Sequence, residues 1–144
     1  MNKVLFSDRT RNSRQIGSKL KSVLLKSMRV LRLKKCEVSL SLVGDRTIRR
    51  LNREYKGIDR PTDVLSFQQS RKAFPHETLG DIIISVTTAR KQARKEKHTL
   101  SAECSMLAIH GLLHLMGYDH AKAEEAKKMF RLQNKLLRKV GIRA

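Results

Sequence analysis

Apolar and polar positions recur along the chain with two different periods, and each period predicts one kind of secondary structure. Alternating or β-branched runs predict four strands, at 3–6, 36–43, 64–68 and 81–86. Apolar residues spaced by three or four predict amphipathic helices over about 13–33, 45–56, 87–98, 102–116 and 121–140. This order of strands and helices favours an α+β or α/β sandwich with a small mixed sheet over a doubly wound parallel sheet.

The same pattern makes local predictions. The run DIIISV (81–86) is almost continuously apolar and β-branched, which is typical of a central strand buried on both faces. The run CEVSLSLV (36–43) alternates, which predicts a strand that is half-exposed or paired at an edge. The polar segment 69–79 predicts a loop. Asp45 and Ser101 are the expected N-caps of the second and fourth helices.

Length and composition favour one small globular domain. The 144 residues suit a single domain spanning 1–144, and 40% hydrophobic residues are enough for one core. Cys36 and Cys104 lie far apart and form no disulfide framework, which indicates a reducing compartment. We see neither a signal peptide nor a run long enough to span a bilayer, so we expect a cytoplasmic protein with no membrane partner.

The charge of the chain restricts its partners. Thirty-two Lys and Arg residues against thirteen Asp and Glu give a net charge of +19, which favours binding to polyanions, above all nucleic acid. The expected contact surfaces are the basic helical faces at 19–35 and 90–97. The chain has two Tyr, four Phe and no Trp, so we expect neither dominant base stacking nor sequence-specific reading of bases.

Three of the five histidines fall within the segment HGLLHLMGYDH (110–120). His110 and His114 are four apart on a predicted helix, so both imidazoles face one side with Cβ atoms about 5–6 Å apart. Gly117 is expected to end the helix in a left-handed conformation, after which His120 can return to the same ion. Three imidazoles leave a fourth tetrahedral position open, as in catalytic zinc sites, where the pKa of a bound water falls to about 7. The alternative is ordinary packed histidines, but burying imidazoles in an apolar helix is costly without a partner.

The neighbours of these histidines narrow the chemistry. In H-E-x-x-H proteases the Glu beside the first His is the general base, and Gly111 in that position argues against peptide hydrolysis of this type. Gly111 instead allows the close approach of a neighbouring element or of substrate. Asp119 has two open interpretations, as a carboxylate that orients a ligand imidazole or as a turn residue. His76 and His98 stand in polar surroundings and are expected to be solvated. A hydrolytic metal site on so basic a chain favours phosphodiester hydrolysis.

Three segments together resemble the signature of a known family. HGLLHLMGYDH (110–120), LNREYKGIDRPTDVLSF (51–67) and LGDIIIS (79–85) are similar in order and spacing to blocks of the YbeY family. These proteins are bacterial metal-dependent endoribonucleases that are also described as rRNA maturation factors. The likeness covers roughly residues 35–125.

The resemblance implies a fold, a cofactor and a substrate. The fold would be α+β, a small mixed four-stranded sheet packed with about five helices and distantly zincin-like. His110, His114 and His120 would hold one Zn²⁺, although imidazole also suits nickel, copper or iron. The substrate would be single-stranded RNA and not DNA, in 16S rRNA 3′-end maturation and ribosome quality control. The small ribosomal subunit would be a partner.

Two positions depart from the family pattern. Lys56 stands where the family has an Arg after the Tyr, and it keeps the charge while losing the planar fork that fits phosphate. We expect Lys56 to act with His114 in catalysis, and Arg53 or Arg60 to assist in binding phosphate. Gln68 stands where the family often has Pro. The alternative function is a ribosome assembly factor with a structural metal and little nuclease activity.

Overall fold

The computed structural model describes residues 1–10, 14–73, 76–119 and 121–142. Within these residues the chain forms four strands and five helices. The strands are β1 (Lys3–Asp8), β2 (Cys36–Val43), β3 (Val64–Ala73) and β4 (His76–Ser85). The helices are α1 (Arg14–Val30), α2 (Asp45–Lys56), α3 (Val86–Glu96), α4 (Leu100–Leu115) and α5 (Ala123–Lys139).

The four strands form one mixed sheet in the order β1-β2-β4-β3. β2 runs parallel to β1 and β4, whereas β3 and β4 are antiparallel neighbours. The predicted α+β architecture, with a small mixed sheet and five helices, is therefore confirmed. β4 lies inside the sheet, as the apolar run 81–86 predicts, and its Ile82 and Ile84 are fully buried.

Helices cover both faces of the sheet. On one face, α1 and α4 pack over the strands and form the main core, in which Leu20, Leu24 and Met28 of α1 are fully buried. These three residues are spaced by four, so a single face of α1 meets the sheet. α5 packs on the outer side of α4 and forms a second cluster with it. α2 covers part of the opposite face through Ile48. α4 is thus enclosed between the sheet and α5, which explains its apolar sequence.

One of the two predictions about strand positions needs correction. The segment 69–79 is not a loop, because β3 and β4 extend into it as antiparallel partners as far as the pair Ala73 and His76; residues 74 and 75 lie outside the described residues. Pairing between the two strands satisfies their backbone groups, so polar side chains are tolerated there. For β2 the first of the two expected alternatives holds: its side chains alternate between buried and half-buried, and it lies between β1 and β4 rather than at an edge.

The predicted helix caps also differ from those observed. Thr99, and not Ser101, caps α4, because its hydroxyl accepts a hydrogen bond from the backbone N–H of Ala102 at 3.0 Å. Gly44 is the N-cap residue of α2, and Asp45 is the first residue inside that helix.

The carboxylate of Asp45 links two helices. Its Oδ1 accepts hydrogen bonds from the hydroxyls of Ser85 at 2.6 Å and Thr88 at 2.5 Å, and both donors lie at the start of α3. Burial by itself would raise the pKa of Asp45, but these two hydrogen bonds and the nearby Lys91 lower it below its usual value. Ionised Asp45 therefore ties the first turn of α2 to that of α3.

His98 is not solvated as expected. Its side chain is only 13% exposed, and its Nε2 meets Oε1 of Glu103, a side chain that is 6% exposed. The polar neighbours of His98 in the sequence are misleading, because the start of α4 brings the buried Glu103 back over it. The side chain of His76 lies outside the described part of the structure.

Candidate functional site

α4 brings His110 and His114 together at the edge of the sheet. Both side chains are half-buried, and their rings meet edge to face with centroids 4.7 Å apart. The Nε2 atoms of the two rings are 3.1 Å apart, within hydrogen-bonding distance of each other and close enough to bind one ion. The helical spacing of four residues produces this pairing, as predicted from the sequence.

Gln133 of α5 holds the first of these rings. Its Oε1 lies 3.0 Å from Nδ1 of His110. A carbonyl oxygen only accepts hydrogen bonds, so with this atom facing the ring Nδ1 must carry the proton. The lone pair of His110 is then on Nε2, the nitrogen that faces His114. Nothing in the sequence around Gln133 marks this role, because the contact depends on how α5 packs against α4.

The pair of nitrogens suits a divalent transition metal. Two metal–nitrogen bonds of about 2.0–2.1 Å at a tetrahedral angle place the nitrogens about 3.3 Å apart, close to the 3.1 Å observed. The third expected ligand, His120, lies outside the described residues. Within the residues that the structure does describe, no three His, Cys, Asp or Glu side chains form a group able to hold a metal. The described part of the site thus contributes two of the three predicted ligands.

The end of α4 directs the chain toward residue 120. Gly117 has a positive φ of 95°, and its N–H donates to the carbonyl of His114 at 3.0 Å. The N–H of Tyr118 donates to the carbonyl of Leu113 at 3.0 Å, which completes the helix-ending arrangement that the sequence predicts for Gly117. The contact described for Asp119 is that of a turn residue, since its Oδ1 accepts from the N–H of Ala121 at 3.3 Å.

Gly111 lies where α4 packs tightly against the sheet. A Cβ atom built at this position would lie 2.8 Å from Cγ2 of Ile82 and 3.1 Å from Oγ of Ser66. The Ser66 hydroxyl also donates to the carbonyl of Gly111 at 3.4 Å. Gly111 therefore permits the approach of a neighbouring element, one of the two expectations stated for it. This contact sets the distance between the sheet and the helix turn that carries the two histidines.

The histidines form one side of a polar cleft of about 440 Å³. The rest of the lining comes from the end of α2, the connection that follows it, and the first half of β3. The residues that line the cleft are Lys56, Thr62, Asp63, Val64, Ser66, Gln68, His110 and His114. A cation, two hydroxyls, a carboxylate and an amide therefore face the paired imidazoles.

The connection between α2 and β3 is held in place by Asn52. This side chain is 4% exposed, and its Nδ2 donates to the carbonyl of Arg60 at 3.0 Å. Gly57 ends α2 with a φ of 71°, which turns the chain toward the cleft. At the far end of the connection, Asp63 accepts from the N–H of Val64 at 2.8 Å. Asn52 is thus a structural residue rather than an exposed helix residue, and Asp63 ends the turn.

The three basic residues expected at the phosphate lie in different places. Lys56 lines the cleft. Arg53 is one turn earlier on α2, where its Nη1 lies 3.5 Å from Oδ1 of Asp59 and its side chain is 54% exposed. Arg60 is exposed, and the contact described for it is made by its backbone. Of the three, the described structure brings only Lys56 to the histidines.

Gln68 has a structural role that the sequence did not reveal. Its Nε2 donates to the carbonyls of His114 at 3.1 Å and Leu115 at 3.3 Å, at the end of α4 where carbonyls lack the usual donor four residues later. One feature of the sequence indicated this role: the family often has Pro at this position, and Pro has no N–H to donate. Gln68 thus attaches β3 to the helix turn that carries His114.

Fold and site together define an α+β protein in which two paired histidines and a lysine line one polar cleft. Among the described helices, none is long and apolar enough to cross a bilayer. The family model of endoribonuclease YbeY matches residues 5–141, and the chain belongs to this family.

Individual relatives agree with this assignment. Proteins named endoribonuclease YbeY from Heliobacterium modesticaldum and Moorella thermoacetica are 46% identical over 121 residues and 50% identical over 117 residues. The alignments cover 76% of this chain and 73% of the first relative, and 74% of both chains for the second. The relative from a Sulfurihydrogenibium species is 44% identical over 89% of this chain and 86% of its own. The solution structure of TM1509 from Thermotoga maritima superposes with a TM-score of 0.70 at 29% identity, covering 95% of this chain and 88% of that one.

Proposed function

We propose that this chain is a metal-dependent endoribonuclease specific for single strands, acting in 16S rRNA 3′-end maturation and ribosome quality control. The metal would be held by His110, His114 and His120, and Zn²⁺ is the expected ion. The observation that carries the proposal is the 3.1 Å approach of the two Nε2 atoms in a cleft that Lys56 also lines. The name shared by its relatives supports action on RNA.

A metal in this position would supply a Lewis acid for the phosphoryl oxygen and would lower the pKa of a water molecule. Residues of the chain would bind the phosphate and orient the metal ligands. Lys56 is a point charge facing the histidines, and it would bind a non-bridging oxygen of the phosphate that is cleaved. His110 is held by Gln133 in the tautomer that places the lone pair on Nε2, where it can bind the ion.

The walls of the cleft would position the RNA. The hydroxyl of Thr62 lines the cleft with Lys56, and it would exchange its hydrogen bond to the carboxylate of Asp63 for one to a sugar or phosphate oxygen. The connection pinned by Asn52 keeps Lys56 and Thr62 at a fixed distance, which limits the loss of entropy on binding. The absence of an aromatic side chain among the described lining residues agrees with binding through the backbone of the RNA rather than through its bases.

The remaining parts of the proposal concern partners. The net charge of +19 supports binding to ribosomal RNA within the small subunit. A role on that subunit would place the protein in the cytoplasm, where ribosomes are assembled. We include no DNA substrate in the proposal.

Metal analysis joined to an RNA cleavage assay tests the proposal. Wild type, His114→Ala and His98→Gln are purified, their zinc content is measured by mass spectrometry, and a single-stranded 16S rRNA 3′-end fragment is offered to each. We expect about one zinc per chain and cleavage for wild type, and loss of both for His114→Ala. His98→Gln is the matched control, since it removes an imidazole that pairs with Glu103 outside the cleft while keeping a hydrogen-bond donor.

Two results would contradict the proposal. If His114→Ala cut RNA as fast as wild type, with contaminating nuclease excluded by a second purification, the site would not be catalytic. If wild type bound zinc tightly through four protein ligands and cut nothing, the assembly factor with a structural metal would replace the enzyme.

A further inference from the structure

α2 carries a row of basic residues that leads into the cleft. Arg46, Arg49, Arg53 and Lys56 follow one another at steps of three or four, so they lie along one side of the helix. Lys56, the last of the row, lines the cleft together with His114. At 1.5 Å per residue, the row is about 15 Å long.

The arginines of α2 line a concavity of their own. It measures about 400 Å³ and is formed by Arg46, Thr47, Arg49, Arg50 and Arg53. This surface was not among the basic faces expected from the sequence at 19–35 and 90–97. It is a second site, separate in its lining residues from the cleft of the histidines.

Stability of the fold does not explain these arginines. The side chains of Arg49, Arg50 and Arg53 are each more than half exposed. Their ion pairs with Asp59 and Glu54 are also exposed, and such pairs contribute little, about 0–1 kcal/mol.

The charges of this surface do not cancel. Three of the four arginines, Arg49, Arg50 and Arg53, share the two acidic partners Asp59 and Glu54, which leaves an excess of positive charge. Among the described residues Arg46 forms no ion pair. Clustered arginines repel one another unless an anion lies between them, so the arrangement favours an anionic ligand.

We propose that α2 is a track for the sugar–phosphate backbone of an RNA strand whose cleaved phosphate occupies the cleft. This inference rests on the proposed function for the identity of the strand. Arginine fits the role because its planar fork binds phosphate oxygens in pairs, and here four arginines precede the single lysine of the helix. A length of 15 Å accommodates roughly four phosphates at the 3.4 Å axial spacing of a stacked strand, and fewer in an extended one.

Binding of an uncleavable RNA tests the track. A fluorescent 12-nucleotide 2′-O-methyl RNA is titrated with metal-free protein, and its anisotropy is measured between 50 and 200 mM salt. The test variant is Arg46→Gln with Arg50→Gln, because neither residue holds Asp59 and the connection to the cleft stays intact. The matched control is Arg131→Gln with Arg138→Gln, two exposed arginines of α5 that give the same change in net charge.

We expect the α2 variant to bind about tenfold more weakly and its salt slope to fall by about 1.4, or 0.7 for each phosphate of a single strand that the protein no longer neutralises. The α5 control should weaken binding by less than about threefold, an effect of net charge alone. Equal weakening by both variants, or by neither, would overturn the track. Arg46→Lys with Arg50→Lys, which keeps the charge, should recover part of the affinity if the residues bind phosphate. Thermal unfolding of each variant identifies any that has lost its fold.

Cleavage assays with metal separate this inference from the proposed function. The α2 variant should cut a dinucleotide, which fills only the cleft, as fast as wild type, and should lose rate on a 12-nucleotide substrate at subsaturating concentration. If wild type cuts no RNA while the anisotropy difference remains, the endonuclease fails and the track stands. If wild type cuts both substrates and the α2 variant loses the same fraction on each, the track fails and the endonuclease stands.

Discussion

Gly111 separates the two histidines of α4, and its replacement by Ala tests whether the helix is held as closely to the sheet as the structure shows. The added methyl group would lie 2.8 Å from Cγ2 and 3.2 Å from Cγ1 of Ile82, and 3.1 Å from Oγ of Ser66. Carbon atoms in contact prefer about 3.5–4.0 Å. Both Ile82 atoms are attached directly to its Cβ on an interior strand and the residue is fully buried, so the side chain cannot move aside.

Two effects of opposite sign decide the result for Gly111→Ala. Ala is more favourable than Gly inside a helix by about 1 kcal/mol, which would stabilise the protein. Overpacking of a buried contact costs about 1–3 kcal/mol. We expect the cost of overpacking to exceed the gain in helix propensity, because the clash is with a stiff β-branched residue. The free energy of unfolding should therefore fall by about 1 kcal/mol. This corresponds to a loss of roughly 2–4 °C in melting temperature for a chain of this size.

Urea unfolding followed by circular dichroism measures the change, in the presence of a chelator so that metal binding does not contribute. Ile82→Ala supplies the control in a double-mutant cycle, because it removes both clashing atoms. Ile82→Ala alone should lower the free energy of unfolding by about 2–5 kcal/mol. The double variant should lose less than the sum of the losses in the two single variants. A protein stabilised by about 1 kcal/mol in the single variant, with additive effects in the double, would refute the close approach of α4 to the sheet.

Two further predictions concern the metal and the pH dependence of stability. Gln133→Ala should weaken zinc binding about 10–100-fold, measured by competition with a chromophoric chelator, because the His110 ring loses the acceptor that fixes its tautomer. Gln133→Glu keeps an acceptor and should bind zinc at least as well as wild type; equal loss in both variants would contradict the role. Asp45→Asn should lower the free energy of unfolding at pH 7 by about 1–2 kcal/mol, since the charged carboxylate accepts from Ser85 and Thr88. The pKa of Asp45 is lowered in the folded protein, so its contribution is complete above its unfolded pKa of about 4 and is lost as the pH falls through the folded pKa. A difference between wild type and Asp45→Asn that did not shrink as the pH fell below about 4 would contradict this.

Local periodicity was sufficient for much of the fold and for part of the candidate site. The spacing of His110 and His114 places both rings on one side of α4, whatever the helix packs against. The helix end at Gly117 also follows from local chemistry, because a positive φ is easiest for Gly. These predictions succeeded because the interactions that decide them span only a few residues.

Contacts between distant segments account for what periodicity missed. The polar half of the β3–β4 hairpin has no apolar alternation, and it is extended because two strands satisfy one another's backbone groups. Glu103 covers His98 because of where α4 begins. The N-cap of α4 is Thr99 and not Ser101, so the helix begins two residues earlier than predicted. Gln133 is opposite His110 only because α5 returns along α4. In each case the deciding partner is absent from the local pattern.

Asn52 makes a contact of this kind that bears on the proposed function. In the sequence it is a polar residue on an arginine-rich helix, where exposure is the natural expectation. In the fold it is buried, because the turn after Gly57 brings the carbonyl of Arg60 within 3.0 Å of its Nδ2. Burying an amide is tolerated only with such a partner, so helix and turn must form together. The same hydrogen bond holds the basic row of α2 and the far wall of the cleft in one unit, which is why an amide at this position supports both proposed RNA contacts without touching RNA itself.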